Sequence, residues 1–152
     1  MLNAASGFMA KTSYAALLAS ATQELSPTRI RQSIAELVGQ DRLSEADVLS
    51  LEALQRFPNS EDVLVIRALV TQVRHDWPAA SAALESLIQL QGPCAQPASW
   101  GQWVRVLRCM GDDGQAMTVV AQGLANHPQD VHLLKEFAAL QQISTKPHLK
   151  IV

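Results

Sequence analysis

Apolar residues recur along this chain at the spacing of one helix face. Ile30, Ile34, Leu37 and Val38 form a first stripe, Val48, Leu49, Leu51 and Leu54 a second, and Val63, Leu64, Ile66, Leu69, Val70 and Val73 a third. Leu84, Leu87, Ile88 and Leu90 follow, then Trp100, Trp103, Val104 and Leu107, then Val119, Val120 and Leu124, and finally Val131, Leu134, Phe137, Ala138 and Ile143. Steps of three and four predict amphipathic helices, and no segment alternates long enough to demand a strand. Turn residues separate the stripes: Ser26-Pro27, Gly39-Gln40-Asp41, Phe57-Pro58-Asn59-Ser60, His75-Asp76-Trp77-Pro78, Gly92-Pro93, Gly111-Asp112-Asp113-Gly114 and His127-Pro128. Ser60 before Glu61-Asp62, and Ser44 before Glu45 and Asp47, predict capped helix starts with acids at the positive end of the dipole.

Composition narrows the class without changing it. The 152 residues are 48% apolar, 17% charged and 5% aromatic, with a net charge of -2. That is a globular, helix-favouring mixture, and the near-neutral balance gives no electrostatic reason for a nucleic-acid partner. No apolar run reaches the length of a membrane span. Cys94 and Cys109 form no C-x-x-C pair and no disulfide framework, so they read as reduced thiols of a cytoplasmic protein. Ala19-Ser20-Ala21 has the look of an export cleavage site. The apolar stretch before it is short, however, and Phe8 to Leu25 reads instead as an amphipathic N-terminal helix ended by Ser26-Pro27.

Three segments align in one register: DRLSEADVLSLEALQRFP, HDWPAASAALESLIQLQG and GDDGQAMTVVAQGLANHP. Ala46, Ala80 and Ala116 anchor them, 34 and 36 residues apart, and each stands twelve before Pro58, Gly92 and Pro128 respectively. A period near 34 with two helices per unit resembles the tetratricopeptide repeat family. The family places a bulky residue early in its helix A, a small one four later, a small residue opening helix B, another seven on, and a closing Pro. The matching positions are Ile30, Ile34, Ala46, Ala53 and Pro58; Leu64, Ala68, Ala80, Leu87 and Gly92; and Trp100, Val104, Ala116, Gly123 and Pro128. Val104 and Ile34 are larger than the family's usual residue, and Leu87 stands for an Ala. The resemblance implies an all-α, tetratricopeptide-like superhelix of antiparallel helix pairs, with an extra N-terminal helix and a C-terminal solvating helix. Its parts are an extension over 1–26, units at 27–60, 61–96 and 97–128, a capping helix over 129–142 and a flexible tail over 143–152.

The chemistry-bearing residues give no catalytic constellation. Asp112-Asp113 lacks the spaced acids and closing Glu of a calcium loop, and GDDG is not followed by the Lys-Ser/Thr of a phosphate loop. His127 and His132 are five apart and do not share a helix face; His75, His127 and His148 fall at turns or in the tail, as solvated histidines do. Neither cysteine sits in a nucleophile motif. Trp100 and Trp103, three apart, read as packing between helices. The expectation is a non-enzyme with no metal and no cofactor.

The resemblance implies a concave face lined by helix A residues: Thr28, Arg31, Ala35 and Val38; Asp62, Val65, Leu69 and Gln72; Ala98, Gly101, Arg105 and Arg108; with Leu133 and Phe137 from the last helix. The partner-binding groove is then expected at Arg31, Val65, Leu69, Gln72, Arg105, Arg108, Leu133 and Phe137, an apolar strip flanked by arginines suited to carboxylates. The family's carboxylate-clamp subclass uses Lys and Asn at positions that here are Ala35, Leu69, Arg105 and Arg31, so that subclass is not matched. The implied function is an adaptor or chaperone that binds a protein or peptide segment. In size and layout the chain is similar to the translocator-class chaperones of bacterial type III secretion. The alternative is a constitutive subunit of a larger complex, or a homo-oligomer, using the N-terminal segment.

Overall fold

The computed structural model describes residues 26–145, so the expected N-terminal helix over Phe8–Leu25 lies outside the described residues, as does the expected tail from 146 onward. Among the described residues are seven α-helices and no strand. They are α1 (Pro27–Gly39), α2 (Leu43–Arg56), α3 (Glu61–Val73), α4 (Trp77–Gln91), α5 (Pro97–Cys109), α6 (Asp113–Asn126) and α7 (Val131–Ser144), with a 3-10 turn at Gly92–Cys94. The last helix runs to Ser144, two residues past the expected boundary at 142. The chain divides into two compact units, Met1–Val70 and Thr71–Val152, with the division falling inside α3.

In the first unit α1 packs on α2, and one core joins Ile30, Ile34 and Leu37 to Ala46, Leu49 and Ala53 and to Val63, Ile66 and Val70. Ser26 starts α1, its Oγ accepting the Arg29 N–H at 3.4 Å, and Pro27 fills the position where a missing N–H costs nothing. The α2 stripe differs from expectation. Val48, 53% exposed, and Leu51 face outward, while Ala46, Leu49, Ser50 and Ala53 are buried. Small residues let two helix backbones approach, so the alanines choose the buried face, Leu49 falls on it with them, and Val48 and Leu51 are left outside. Ser44 is not the cap either. α2 begins at Leu43, with Arg42 at the N-cap making no side-chain cap bond and pairing with Glu45 instead. Ser60 does cap α3, its Oγ accepting the Val63 N–H at 3.4 Å.

A buried ion pair ties α3 to α2. Arg67, 7% exposed, donates from Nη1 to Asp47 Oδ1 at 2.7 Å and to Ser50 Oγ at 2.8 Å. The Ser50 hydroxyl in turn donates to the Asp47 carbonyl at 2.9 Å.

In the second unit α5 is central, packing against α4, α6 and α7, while α6 also packs on α7. Trp100, Trp103, Val104, Val106 and Leu107 of α5 are all buried, as packing between helices requires. The Trp103 Nε1–H donates to Ser81 Oγ at 3.0 Å. The α7 stripe is corrected: Leu133, 0% exposed, and Leu140 are its core residues, whereas Val131, 60% exposed, Leu134 and Ala138 face outward. His127 is also corrected. It is half-buried, and its Nε2–H donates to the Ala95 carbonyl at 2.7 Å, tying the α6–α7 turn to the segment before α5. His75 stacks on Trp77 with ring centroids 5.2 Å apart.

One turn geometry occurs three times. Asp41, His75 and Gly111 adopt φ of 60°, 59° and 76°. The next residue's N–H bonds back to a carbonyl five residues earlier: Arg42 to Leu37 at 2.9 Å, Asp76 to Thr71 at 2.8 Å and Asp112 to Leu107 at 3.0 Å. This left-handed closure satisfies carbonyls that the ending helix leaves orphaned. Asp76 and Asp112 then cap the following helices, accepting the N–H groups of Ala79 at 3.3 Å and Gln115 at 3.1 Å. The opening motif of α6, GDDG, is therefore a turn and a cap. The 3-10 turn at Gly92–Cys94 and the backbone of Gly92, at φ 56°, ψ -130°, occupy the one connection of greater period.

Two glycines inside helices make opposite predictions. A Cβ on Gly101 would meet nothing within 4 Å, while one on Gly123 would lie 3.1 Å from Trp100 Cβ and 3.2 Å from Leu133 Cδ1. Gly101→Ala is expected to stabilise by about 0.5–1 kcal/mol through helix propensity. Gly123→Ala gains the same term but pushes on two buried side chains, so a net loss of about 1 kcal/mol is expected. Urea denaturation of both variants would read the contrast; equal shifts would mean that the α5–α6–α7 packing at Gly123 is slack.

Candidate functional site

The expected groove residues divide by unit. In the first, Val65 is half-buried and Leu69 is exposed. Arg31 is also exposed, but its Nη1 pairs with Asp62 Oδ1 at 3.0 Å, and the Thr28 hydroxyl donates to Asp62 Oδ2 at 3.1 Å. The Arg31 charge is thus already met within its own unit.

In the second unit Gln72 is half-buried, and its Nε2 donates to Gln102 Oε1 at 3.4 Å. Arg108 Nη1 pairs with Glu136 Oε2 at 2.6 Å, bracing α5 against α7. Leu133 is removed from the candidate surface because it fills the core beside Gly123. Phe137 is half-buried. Arg105 is exposed, and its side chain has no hydrogen bond or ion pair among the described residues.

Arg105 lines a cavity of about 570 Å³ between α5 and α7. Gly101 and Gln102 of α5 and His132, Lys135 and Glu136 of α7 line it with Arg105, beside Asp130 and the Gln96–Pro97–Ala98 segment. The absent side chain of Gly101 keeps the α5 wall open. Both acids of the cavity are already engaged: Asp130 Oδ1 accepts the Leu133 N–H at 2.9 Å as the α7 cap, and Glu136 holds Arg108. Lys135, like Arg105, has no such side-chain partner among the described residues. The cavity therefore presents two uncommitted cations, with the Gln102 amide and the His132 imidazole alongside. That donor set can bind carboxylates through charge-assisted hydrogen bonds. Lys135 and His132 are the residues that sequence reasoning missed. Their signal was their place on α7 one turn apart, which identifies a face only once the buried face of α7 is known.

Among the described residues no group of three or more His, Cys, Asp or Glu side chains is placed to hold a metal ion. No helix there is long and apolar enough to cross a membrane. Cys94 and Cys109 are exposed free thiols.

No family model matches the chain, and no curated protein matches it. Solved structures do. The first tetratricopeptide domain of Spaghetti (RPAP3), bound to the HSP90 peptide SRMEEVD, is similar with a TM-score of 0.66 at 11% identity, over 79% of this chain and 94% of that one. The Sgt2 tetratricopeptide domain from Aspergillus fumigatus has a TM-score of 0.65 at 13% identity, over 80% of this chain and 81% of its own. The second such domain of human RPAP3, in complex with the HSP70 peptide SGPTIEEVD, has a TM-score of 0.63 at 10% identity, over 76% and 95%. The chain has the all-helical fold of tetratricopeptide domains.

Proposed function

We propose that this chain is a protein-interaction module, an adaptor or chaperone without catalytic activity, that holds an acidic segment of a partner protein on its α5–α7 face. The observation that carries the reading is the cavity in which Arg105 and Lys135 have no side-chain partner among the described residues while the nearby acids are engaged. Unmet cations in a concave, partly apolar site favour a ligand that brings carboxylates. The likeness to domains that bind the acidic peptides SRMEEVD and SGPTIEEVD supports the same class of partner. This chain would grip it differently. At the clamp-equivalent positions Ala35, Leu69, Arg105 and Arg31 there is no Asn, and Arg31 is neutralised by Asp62. We read the three helix pairs, with their thrice-recurring turn, as three tetratricopeptide-type repeats, with α7 as the solvating helix. Two exposed thiols fit a reducing, cytoplasmic setting.

One observation favours a second reading. Val131 and Leu134 leave apolar surface open on α7, which suits a permanent subunit or a homo-oligomer. The two readings separate in a pull-down from native lysate, wild type against Arg105→Glu with Lys135→Glu, quantified by mass spectrometry. The adaptor reading expects one dominant partner to fall at least about tenfold in the double variant, while helix content stays unchanged. A partner retained equally in both would support the subunit reading and reject the α5–α7 site.

A further inference from the structure

α7 is the last of the described helices, and the closing helix of a stacked array needs a polar outer face. Its outer face instead carries Val131, Leu134 and Ala138, spaced by three and four and all exposed. Towards the C-terminal end of α7 this stripe runs into a cavity of about 600 Å³ between α6 and α7, lined by Met117, Ala138, Gln141, Gln142, Ser144 and Thr145. Ser144 ends α7 and Thr145 caps it, so the chain leaves the described residues from the rim of this cavity. The side-chain amides of Gln141 and Gln142 make no hydrogen bond among the described residues. The seven residues that follow read Lys-Pro-His-Leu-Lys-Ile-Val. Pro147, Leu149 and Ile151 alternate there with Lys146, His148 and Lys150, which is the period of an extended segment with one apolar side.

We propose that residues 146–152 fold back over the rim and lie extended along α7, with Leu149 in the cavity beside Met117 and Ala138 and Ile151 on Leu134. Pro147 cannot continue the helix and biases Lys146 towards an extended backbone, which starts the reversal. The lengths agree. Leu134 lies eleven residues before Thr145, about 16 Å along a helix axis. The six residues from Thr145 to Ile151 span at most about 20 Å when extended, enough for a turn and the return. The glutamine amides offer a donor and an acceptor to the backbone of such a segment, while Lys146, His148 and Lys150 point to water. The occupant is this segment because it starts at the cavity and meets it at the high effective concentration of a tether, which neither a second copy nor a separate partner has. Docked so, it gives α7 the polar outer side it lacks. A partner or a second copy then reaches Val131 and Leu134 only by displacing it.

The test is methyl NMR on the full chain, reading nuclear Overhauser contacts between the tail and α7. Contacts are expected from the Leu149 methyls to Met117 or Ala138, and from Ile151 to Leu134. A sample mixed from labelled and unlabelled chains separates contacts within one molecule from contacts between two, and they are expected only within one. Leu149→Ser with Ile151→Ser should abolish them and leave helix content unchanged. Ala138→Asp, at an exposed position of α7, should abolish them from the other side without unfolding the helix. Lys146→Ser with Lys150→Ser should keep them, and so should Arg105→Glu, which makes this result separate from that at the α5–α7 site. Absence of any contact between tail and α7, contacts only between molecules, or contacts that survive Ala138→Asp would overturn the proposal. Loss in the lysine variant would overturn the register that turns Leu149 and Ile151 inward.

Discussion

Ala116→Trp is expected to destabilise the protein by at least about 3 kcal/mol and to lower its Tm by on the order of 10 °C. Ala116 opens α6 and is fully buried, where α6 packs on α5. Ala46 and Ala80, its counterparts in α2 and α4, are equally buried. An indole cannot enter that crossing unless the helices move apart, and α5 is held from its other sides by α4 and α7. Ala125, exposed on the same helix, supplies the control: Ala125→Trp should change the Tm by little. Differential scanning calorimetry on both variants decides the matter, and similar transitions would show that the register built on these alanines is wrong.

The second large effect is expected at Asp47. Asp47→Ala leaves the Arg67 guanidinium in the first unit without its carboxylate, at a side chain only 9% exposed. Breaking a buried pair from one side costs about 3–5 kcal/mol; the 27% exposure of Asp47 places this case near the lower figure. Arg67→Met removes the charge along with the need for its partner, and should cost about 1 kcal/mol or less despite deleting more atoms. Arg31→Ala, which breaks the exposed pair with Asp62, should also stay below about 1 kcal/mol. Guanidinium denaturation midpoints rank the three; a loss at Arg67→Met matching that at Asp47→Ala would show that the pair itself stabilises the fold.

Much of the α4–α6 region was legible in the sequence because its signals are local. Gly111, Asp112 and Pro128 mark where helices must stop or start through their own backbone preferences. The alanine register was legible too, since close backbone approach leaves room for few other side chains. The face of α7 was not. VHLLKEFAAL carries Val131, Leu133, Leu134, Phe137, Ala138 and Leu140 around most of the helix, so periodicity alone could select either side. Leu133 is buried and Leu134 is 45% exposed because Leu133 lies where the bare backbone of Gly123 makes space for it.

Charge followed the same division. The arginines were visible in the sequence, but which of them are available was not. Arg31 finds Asp62 and Arg108 finds Glu136 across 31 and 28 residues of chain, while Arg105 finds no partner among the described residues. The sequence by itself therefore determined the helices, their order and the small-residue crossings, since each follows from the backbone preference or volume of residues close together in the chain. Only the tertiary structure decided which face of α7 is buried and which cations remain uncommitted among the described residues. Each of those depends on what a side chain meets from a different helix, and no local pattern records that.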